Sequence, residues 1–171
     1  MTALSLDELL LVVANDPWQK SGTRPITPAD DRFAMAEALA ETIDGVVASR
    51  MEIDRGGPSY TVETVEALRK ALGPRAEIVL VIGADLVPEL GTWERVDELR
   101  ELVTLAVVSR PTAIRPPAPE GWRVEWVDGP KVDVSSSQVR AALVAGDSVE
   151  NLVPEAVIRC IRLRNLYAIG R

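Results

Sequence analysis

The stretch KVDVSSSQVRAAL, residues 131–143, places three hydroxyls and a cation at the start of a helix. Val132 and Val134 alternate as in a strand, Ser135, Ser136 and Ser137 follow, and Arg140 falls in the first or second helical turn. Ser135 with Gln138 three residues on has the pattern of a capping box, in which hydroxyl and side-chain amide each satisfy an orphan backbone donor. A cap does not explain Arg140, because a cation near a helix N-terminus is unfavourable by roughly a few tenths of a kcal/mol. A bound phosphate would reconcile the two. Serine hydroxyls, free N–H groups and a guanidinium all bind phosphate oxygens. On this stretch alone, a plain helix cap and an anion site both remain open.

The rest of the composition narrows the chemistry. The 171 residues contain no histidine and one cysteine, Cys160. That excludes Ser-His-Asp and Cys-His catalysis, an imidazole base, a structural zinc site and an internal disulfide. Chemistry is left to carboxylates, hydroxyls, Arg and Lys, backbone dipoles and a hard cation. The net charge of −7 argues against non-specific binding to nucleic acid or anionic membranes. An anionic small substrate stays possible through local arginines, since only Lys20, Lys70 and Lys131 among the basic residues are lysines. The longest apolar run, Leu9–Ala14, is far too short to span a bilayer. The opening residues show no secretory-signal pattern, and with one cysteine a cytoplasmic protein is expected. The length suits one domain with a real core.

The elements that must position these groups follow from the apolar pattern. LLLVVA (9–14) reads as a buried strand. Thr27-Pro28-Ala29-Asp30 reads as a helix start with Thr27 as N-cap, Phe33, Met35, Ala36 and Leu39 forming the apolar side and Asp44-Gly45 the end. VVASRMEI (46–53) reads as a strand with Val47, Ser49, Met51 and Ile53 on one face. TVETVEALRKAL (61–72) spaces Val62, Val65, Leu68 and Leu72 as a helix stopped by Gly73-Pro74. IVLVIG (78–83) is the clearest strand. A short helical turn, a loop and a helix follow over 84–102, then strands at 103–109 and 122–127 around a Pro-rich loop, then two helical pieces. Alternating strands and helices predict an α/β fold with a parallel sheet. Such sheets bind ligands beyond the carboxyl ends of their strands. There lie Asn15 to Lys20, Asp54 to Thr61, Gly83 to Trp93, Arg110 and the serines.

In order and spacing, PWQK (17–20), DRGGPSYTVET (54–64), IGAD (82–85), TW (92–93), VVSRP (107–111), VSSSQVR (134–140) and LVPEAVIRCIRLRNLY (152–167) resemble the bacterial nicotinate-nucleotide adenylyltransferases. The resemblance runs from about residue 7 to the C-terminus. It implies a Rossmann-like, doubly wound parallel sheet in a single domain. It also implies transfer of the adenylyl group of ATP, with Mg2+, to nicotinate mononucleotide, a step in making NAD. By the same resemblance Ser135, Ser136, Ser137 and Arg140 would hold the ATP phosphates, with Arg140 stabilising charge in the transfer. Gly83 and Asp85 would line the nucleotide site, and Arg110 is a further phosphate candidate. Trp93 would stack on the pyridine ring. Tyr60, Thr61 and Lys20 would hold the mononucleotide. Each has a plainer reading: a tight strand end and an N-cap for Gly83 and Asp85, a half-buried core residue for Trp93, a helix cap for Thr61, a solvated side chain for Lys20 and Arg110.

One part of the family pattern is absent. The family opens with an apolar strand, a Gly-Gly-Thr-Phe-Asp-Pro turn and a His-x-Gly-His helix start, and this sequence contains neither motif. Met1 to Ser5 corresponds to the end of that first helix, so the sheet is expected to lack its first, central strand, part of a unit of about 25–30 residues. The strands near 9–13 and 78–83 would then each keep an unpaired edge. Three explanations compete: a true start upstream of Met1, which is favoured; an inactive truncation; or reuse as a nucleotide-binding or partner-binding protein. Little or no transferase activity is expected of these 171 residues alone. A related transferase acting on another phosphate, such as pantetheine phosphate, is the nearest rival, and the resemblance leaves oligomeric state open. No Gly-x-Gly-x-x-Gly follows a strand, which argues against a dinucleotide-binding dehydrogenase.

Overall fold

The computed structural model describes residues 4–17, 26–109, 115–130 and 134–167. In chain order the elements are β1 (Leu9–Val12), α1 (Ala29–Ala40), β2 (Val46–Ser49), α2 (Met51–Arg55), α3 (Thr61–Leu72), β3 (Val79–Gly83), a 3-10 helix (Ala84–Thr92), α4 (Val96–Leu102), β4 (Thr104–Ser109), β5 (Val124–Asp128), α5 (Ser136–Ala145) and α6 (Glu155–Leu163). Every strand pair is parallel, β1 with β2 and β3-β4-β5 in that order. The chain forms two compact units. The first joins Met1–Pro58 to Asp133–Arg171, and the second is Ser59–Val132.

In the first unit, α1 packs on β2 and against α6. α6 carries a sharply amphipathic pattern, burying Ile158 and Ile161 with Leu143 of α5 and Val149, while Leu163 is exposed. Met35 of α1 and Tyr167, beyond α6, pack against the same cluster. The segment after α6 is pinned to the start of α1. Arg164 donates to the Asp31 carboxylate at 2.6 Å, and the Thr27 and Tyr167 hydroxyls lie 3.0 Å apart. Thr27 is therefore not the N-cap of α1. Pro28 occupies that position with no side-chain bond, and the Thr27 hydroxyl is used on Tyr167. The strand expected over 46–53 also stops early. Arg50 leaves extended geometry, the Ser49 hydroxyl accepts from the Met51 N–H, and residues 51–55 turn into α2. Two-residue alternation in VVASRMEI does not distinguish a strand from a strand followed by one helical turn.

In the second unit, β4 is the central strand. Leu105, Ala106 and Val107 are fully buried, which is why TLAVVS reads as a continuous apolar run rather than an alternating one. Val87 and Leu90 of the 3-10 helix pack with Ile82, Leu105 and Val107. Val62 and Val65 of α3 pack with Leu99 of α4 and Val103. Fully burying each such side chain contributes roughly 1.5–3 kcal/mol. α3 spans the residues its spacing predicts, but its last apolar position, Leu72, is 63% exposed. Arg69 binds the Leu102 carbonyl at the end of α4, a favourable place for a cation. Among the described residues β1 and β3 are each the end strand of their sheet. Leu105→Ala should destabilise the chain by about 2–5 kcal/mol in urea denaturation, whereas Leu72→Ala should change stability by no more than about 0.5 kcal/mol.

Candidate functional site

The N-terminus of α5 settles what Ser135 and Gln138 do. Ser135 is extended, its hydroxyl accepts the Gln138 N–H at 3.2 Å, and its own N–H donates to the Gln138 side chain at 2.8 Å. The capping box is present. It does not exhaust the helix start, because the N–H groups of Ser136 and Ser137 have no helical carbonyl to reach. The Ser136 side chain is exposed. Arg140, half-buried one turn on, donates to the Ser137 hydroxyl at 3.1 Å and forms no ion pair among the described residues. Cap and anion site are thus compatible. The cap takes Ser135 and Gln138, leaving two amides, two hydroxyls and a guanidinium on one helical turn. A phosphate there would gain charge-assisted hydrogen bonds and the helix dipole together.

Also in the first unit, the loop after α2 contains Gly56 and Gly57, at φ of 74° and 69°. The Asn15 side chain donates to the Gly57 carbonyl at 2.9 Å, and Asp16 bridges to Pro58 in parallel register. The segments that follow β1 and α2 are therefore joined.

In the second unit, Tyr60 and Trp93 pack, half-buried, against the same Val62–Val65–Leu99–Val103 cluster. Thr61 is the first residue of α3 rather than its cap. Tyr60 holds the N-cap position with no side-chain capping bond, and its carbonyl accepts from the Thr64 N–H and hydroxyl. At the end of β3 a Cβ on Gly83 would overlap the Asp85 carboxylate, so Asp85 keeps its place only beside glycine. Asp85 is exposed and does not cap the 3-10 helix, whose N-cap position is Gly83 with no side-chain bond.

Trp93 sits where the 3-10 helix closes. Its N–H donates to the Leu90 carbonyl, and Thr92 donates its hydroxyl to Glu89. Two residues on, Arg95 takes a left-handed φ of 49° and redirects the chain into α4. That conformation costs a non-glycine residue roughly 1–2 kcal/mol. It is held by ion pairs of Arg95 with Glu66 and Glu98. Those bonds raise the Arg95 pKa and hold the Glu98 carboxyl below the ordinary carboxylate range, chiefly by the hydrogen bond from Arg95. The indole Nε1 of Trp93 is buried with no partner among the described residues. An unmade buried hydrogen bond costs about 1–3 kcal/mol.

Lys20 and Arg110 lie outside the described residues. Among the described residues no group of three His, Cys, Asp or Glu side chains converges as metal ligands would. No helix among them is long and apolar enough to cross a membrane.

The class of protein follows from comparison with known families. Residues 2–142 match the cytidylyltransferase-like family. A protein of Streptomyces coelicolor named as a probable nicotinate-nucleotide adenylyltransferase is 40% identical over 95% of this chain and 86% of its own length. One of Corynebacterium kroppenstedtii with the same name is 37% identical over 95% of this chain and 78% of its own. The solved structure of Plasmodium falciparum nicotinic acid mononucleotide adenylyltransferase complexed with NaAD superposes with a TM-score of 0.73 at 16% identity, covering 96% of this chain and 84% of that one. The chain belongs to the cytidylyltransferase-like family and, within it, to the nicotinate-nucleotide adenylyltransferases, with the Rossmann-like α/β fold of those enzymes.

Ser135→Ala should lower stability by about 1 kcal/mol through loss of the cap, while Arg140→Ala should stay within about 0.5 kcal/mol of wild type, both read by urea denaturation. The Glu98 contribution is complete above the unfolded glutamate pKa of about 4.3 and is lost as pH falls through the lower folded value. Below about pH 4.3 the melting temperature of wild type should therefore fall more steeply than that of Glu98→Gln.

Proposed function

We propose that this chain binds ATP and nicotinate mononucleotide and joins them, giving deamido-NAD and pyrophosphate. The observation that carries the reading is the α5 start, where an intact cap still leaves the Ser136 and Ser137 amides, their hydroxyls and Arg140 for phosphate. Membership of the family supplies the identity of the phosphates. Ser135, Ser136, Ser137 and Arg140 are assigned to the ATP phosphates, with Gly83, Asp85 and Arg110 on the nucleotide. Trp93 is assigned to stacking on the pyridine ring, and Tyr60, Thr61 and Lys20 to the mononucleotide. The orphaned Trp93 Nε1 supports a polar group docking beside that ring.

The chemistry suits a chain without histidine. A phosphate oxygen of the mononucleotide, already ionised, forms a bond to the α-phosphorus of ATP in line, while the bond to the bridging oxygen of the β-phosphate breaks and pyrophosphate leaves. No proton must be removed from the attacking oxygen, so no general base is required. The protein orients the two phosphates and offsets charge on the non-bridging oxygens with Arg140 and backbone amides. Magnesium would enter on the ATP phosphates and neutralise part of their charge. A cytoplasmic enzyme with no nucleic-acid or membrane partner fits the acidic balance and the single cysteine.

A second reading is a nucleotide-binding protein without turnover, since the phosphate groups at the α5 start would serve binding alone equally well. Calorimetry with each ligand and a pyrophosphate-release assay separate the two. We expect both ligands to bind, slow release of pyrophosphate with both present, and ATP affinity lowered about tenfold in Arg140→Ala. Binding without any release would support the second reading. Binding of neither ligand, or release with pantetheine phosphate in place of the mononucleotide, would remove the first.

A further inference from the structure

We infer that Arg95 is a positioning residue for the mononucleotide half of this reaction: by clamping Glu66 of α3 and Glu98 of α4 it fixes Trp93 relative to Tyr60. The inference rests on the proposed function for the identity of the ligand. Every group it uses lies in the second unit.

Arg95 breaks two local rules at once. It holds the N-cap position of α4, where Ser, Thr, Asp, Asn or Gly is usual and a cation opposes the helix dipole. It also takes a φ of 49° and a ψ of 44°, the left-handed region that favours glycine. Strain of this kind persists only where the surroundings hold it, and it gathers at binding and catalytic sites. The surroundings here are two carboxylates. Nε donates to Glu98 at 2.8 Å, Nη1 donates to Glu66 at 3.2 Å, and Nη2 donates to both. Each carboxylate thus accepts through both oxygens, a paired geometry that a guanidinium forms and an ammonium does not. The Glu98 arm stays within the start of α4. The Glu66 arm crosses to another helix, 29 residues back in the chain.

The clamp secures two segments assigned above to the same ligand. Trp93 is held on one side by its N–H bond to the Leu90 carbonyl. On the other side the Arg95 carbonyl accepts the Glu98 and Leu99 N–H groups, so the bend at Arg95 sets how the chain passes from Trp93 into α4. The indole has no hydrogen bond of its own to fix it, because Nε1 has no partner among the described residues. Backbone and packing alone therefore set the ring. Tyr60 immediately precedes α3, and Tyr60 and Trp93 both pack on the cluster of Val62, Val65, Leu99 and Val103. Glu66 follows Val65, so the ion pair bridges the two helices whose apolar side chains build that cluster. Stacking depends on the separation and offset of the rings. A pyridine ring stacked on Trp93, in a ligand also held by Tyr60, needs those two residues at a fixed separation. The Arg95–Glu66 link supplies it.

The test is calorimetric titration of nicotinate mononucleotide, and separately ATP, into the 171-residue chain and its Glu66→Gln and Arg95→Gly variants, with melting temperatures in parallel. Glu66→Gln removes the charge of the cross-helix arm and keeps its shape. Arg95→Gly keeps the left-handed bend without strain and removes the clamp, so it separates the side chain from the backbone. The Arg95 and Glu66 side chains are 36% and 43% exposed, so neither change leaves a buried charge unpaired. Glu66→Gln decides the question if Arg95→Gly fails to fold. We expect mononucleotide affinity to fall about fivefold in each variant, with ATP affinity changed less than about twofold. A merely structural clamp would lower the melting temperature and weaken both ligands together or neither. Unchanged mononucleotide affinity in either variant, or equal losses for both ligands, would overturn the role of Arg95 while leaving the proposed function intact. A wild-type chain that does not bind the mononucleotide would overturn the proposed acceptor and this role with it.

Discussion

Parallel pairing is the constraint from which the candidate site follows. Two strands running the same way cannot be joined by a tight turn, so each connection must cross a face of the sheet. The crossing segments are α1 between β1 and β2, and the 3-10 helix with α4 between β3 and β4. Each crossover begins at the carboxyl end of a strand, so irregular backbone accumulates at one end of every sheet. In the first unit this brings Asn15 and Asp16 beside Gly57 and Pro58. In the second it puts Gly83 and Asp85 at the end of β3, and Gly129 where its N–H meets the Ser109 carbonyl beyond β4. The apolar interior of β4 secures the scaffold, and the polar strand ends are left for binding.

The α5 start shows how one helical turn serves two demands. A reciprocal cap satisfies the Ser135 and Gln138 amides from within the chain. The helix then stands without a ligand, so an anion need not be present for it to form, and an arriving anion meets amides already aligned. Preorganisation of this kind matters in phosphoryl-type transfer, where the protein contributes position and charge more than covalent chemistry. An overall acidic surface is compatible with this, because the Debye length of roughly 8–10 Å limits distant carboxylates while the amides and Arg140 act at contact.

Much of this was legible in the sequence, and the exceptions share a cause. The α3 boundaries, the β4 run and the capping box were readable because each depends on residues close in sequence. Thr27 looked like a cap until Tyr167, 140 residues away, took its hydroxyl. The segment 46–53 looked like one strand because the Ser49 hydroxyl turn and the short α2 leave almost no periodic signal. Leu72 fits the helical spacing, yet the helix end lies beyond the packed region. Arg32 carries no motif at all. It stands among charged residues at a helix start, where a solvated side chain is the ordinary reading, and only the convergence of three carbonyls from the two ends of the β1–α1 connection reveals it. The ion pairs that hold Arg95 in its left-handed conformation are equally silent, since Glu66 lies on another helix.

β1 carries a further consequence, for the life of the chain in a crowded solution. Leu9 to Val12 are all only half-buried, and among the described residues this strand has a neighbour on one side alone. A short, uncharged, apolar run with a free edge is the composition that nucleates cross-β stacking between molecules. Asp7 and Glu8 stand immediately before it, exposed, and Asp16 follows just after. These acids act as gatekeepers, because stacking identical copies in register would pile like charges on one another. Charge of one sign on both flanks of the strand thus limits how closely two copies can approach edge to edge. Behaviour at high concentration is thus governed by the acids that flank the strand.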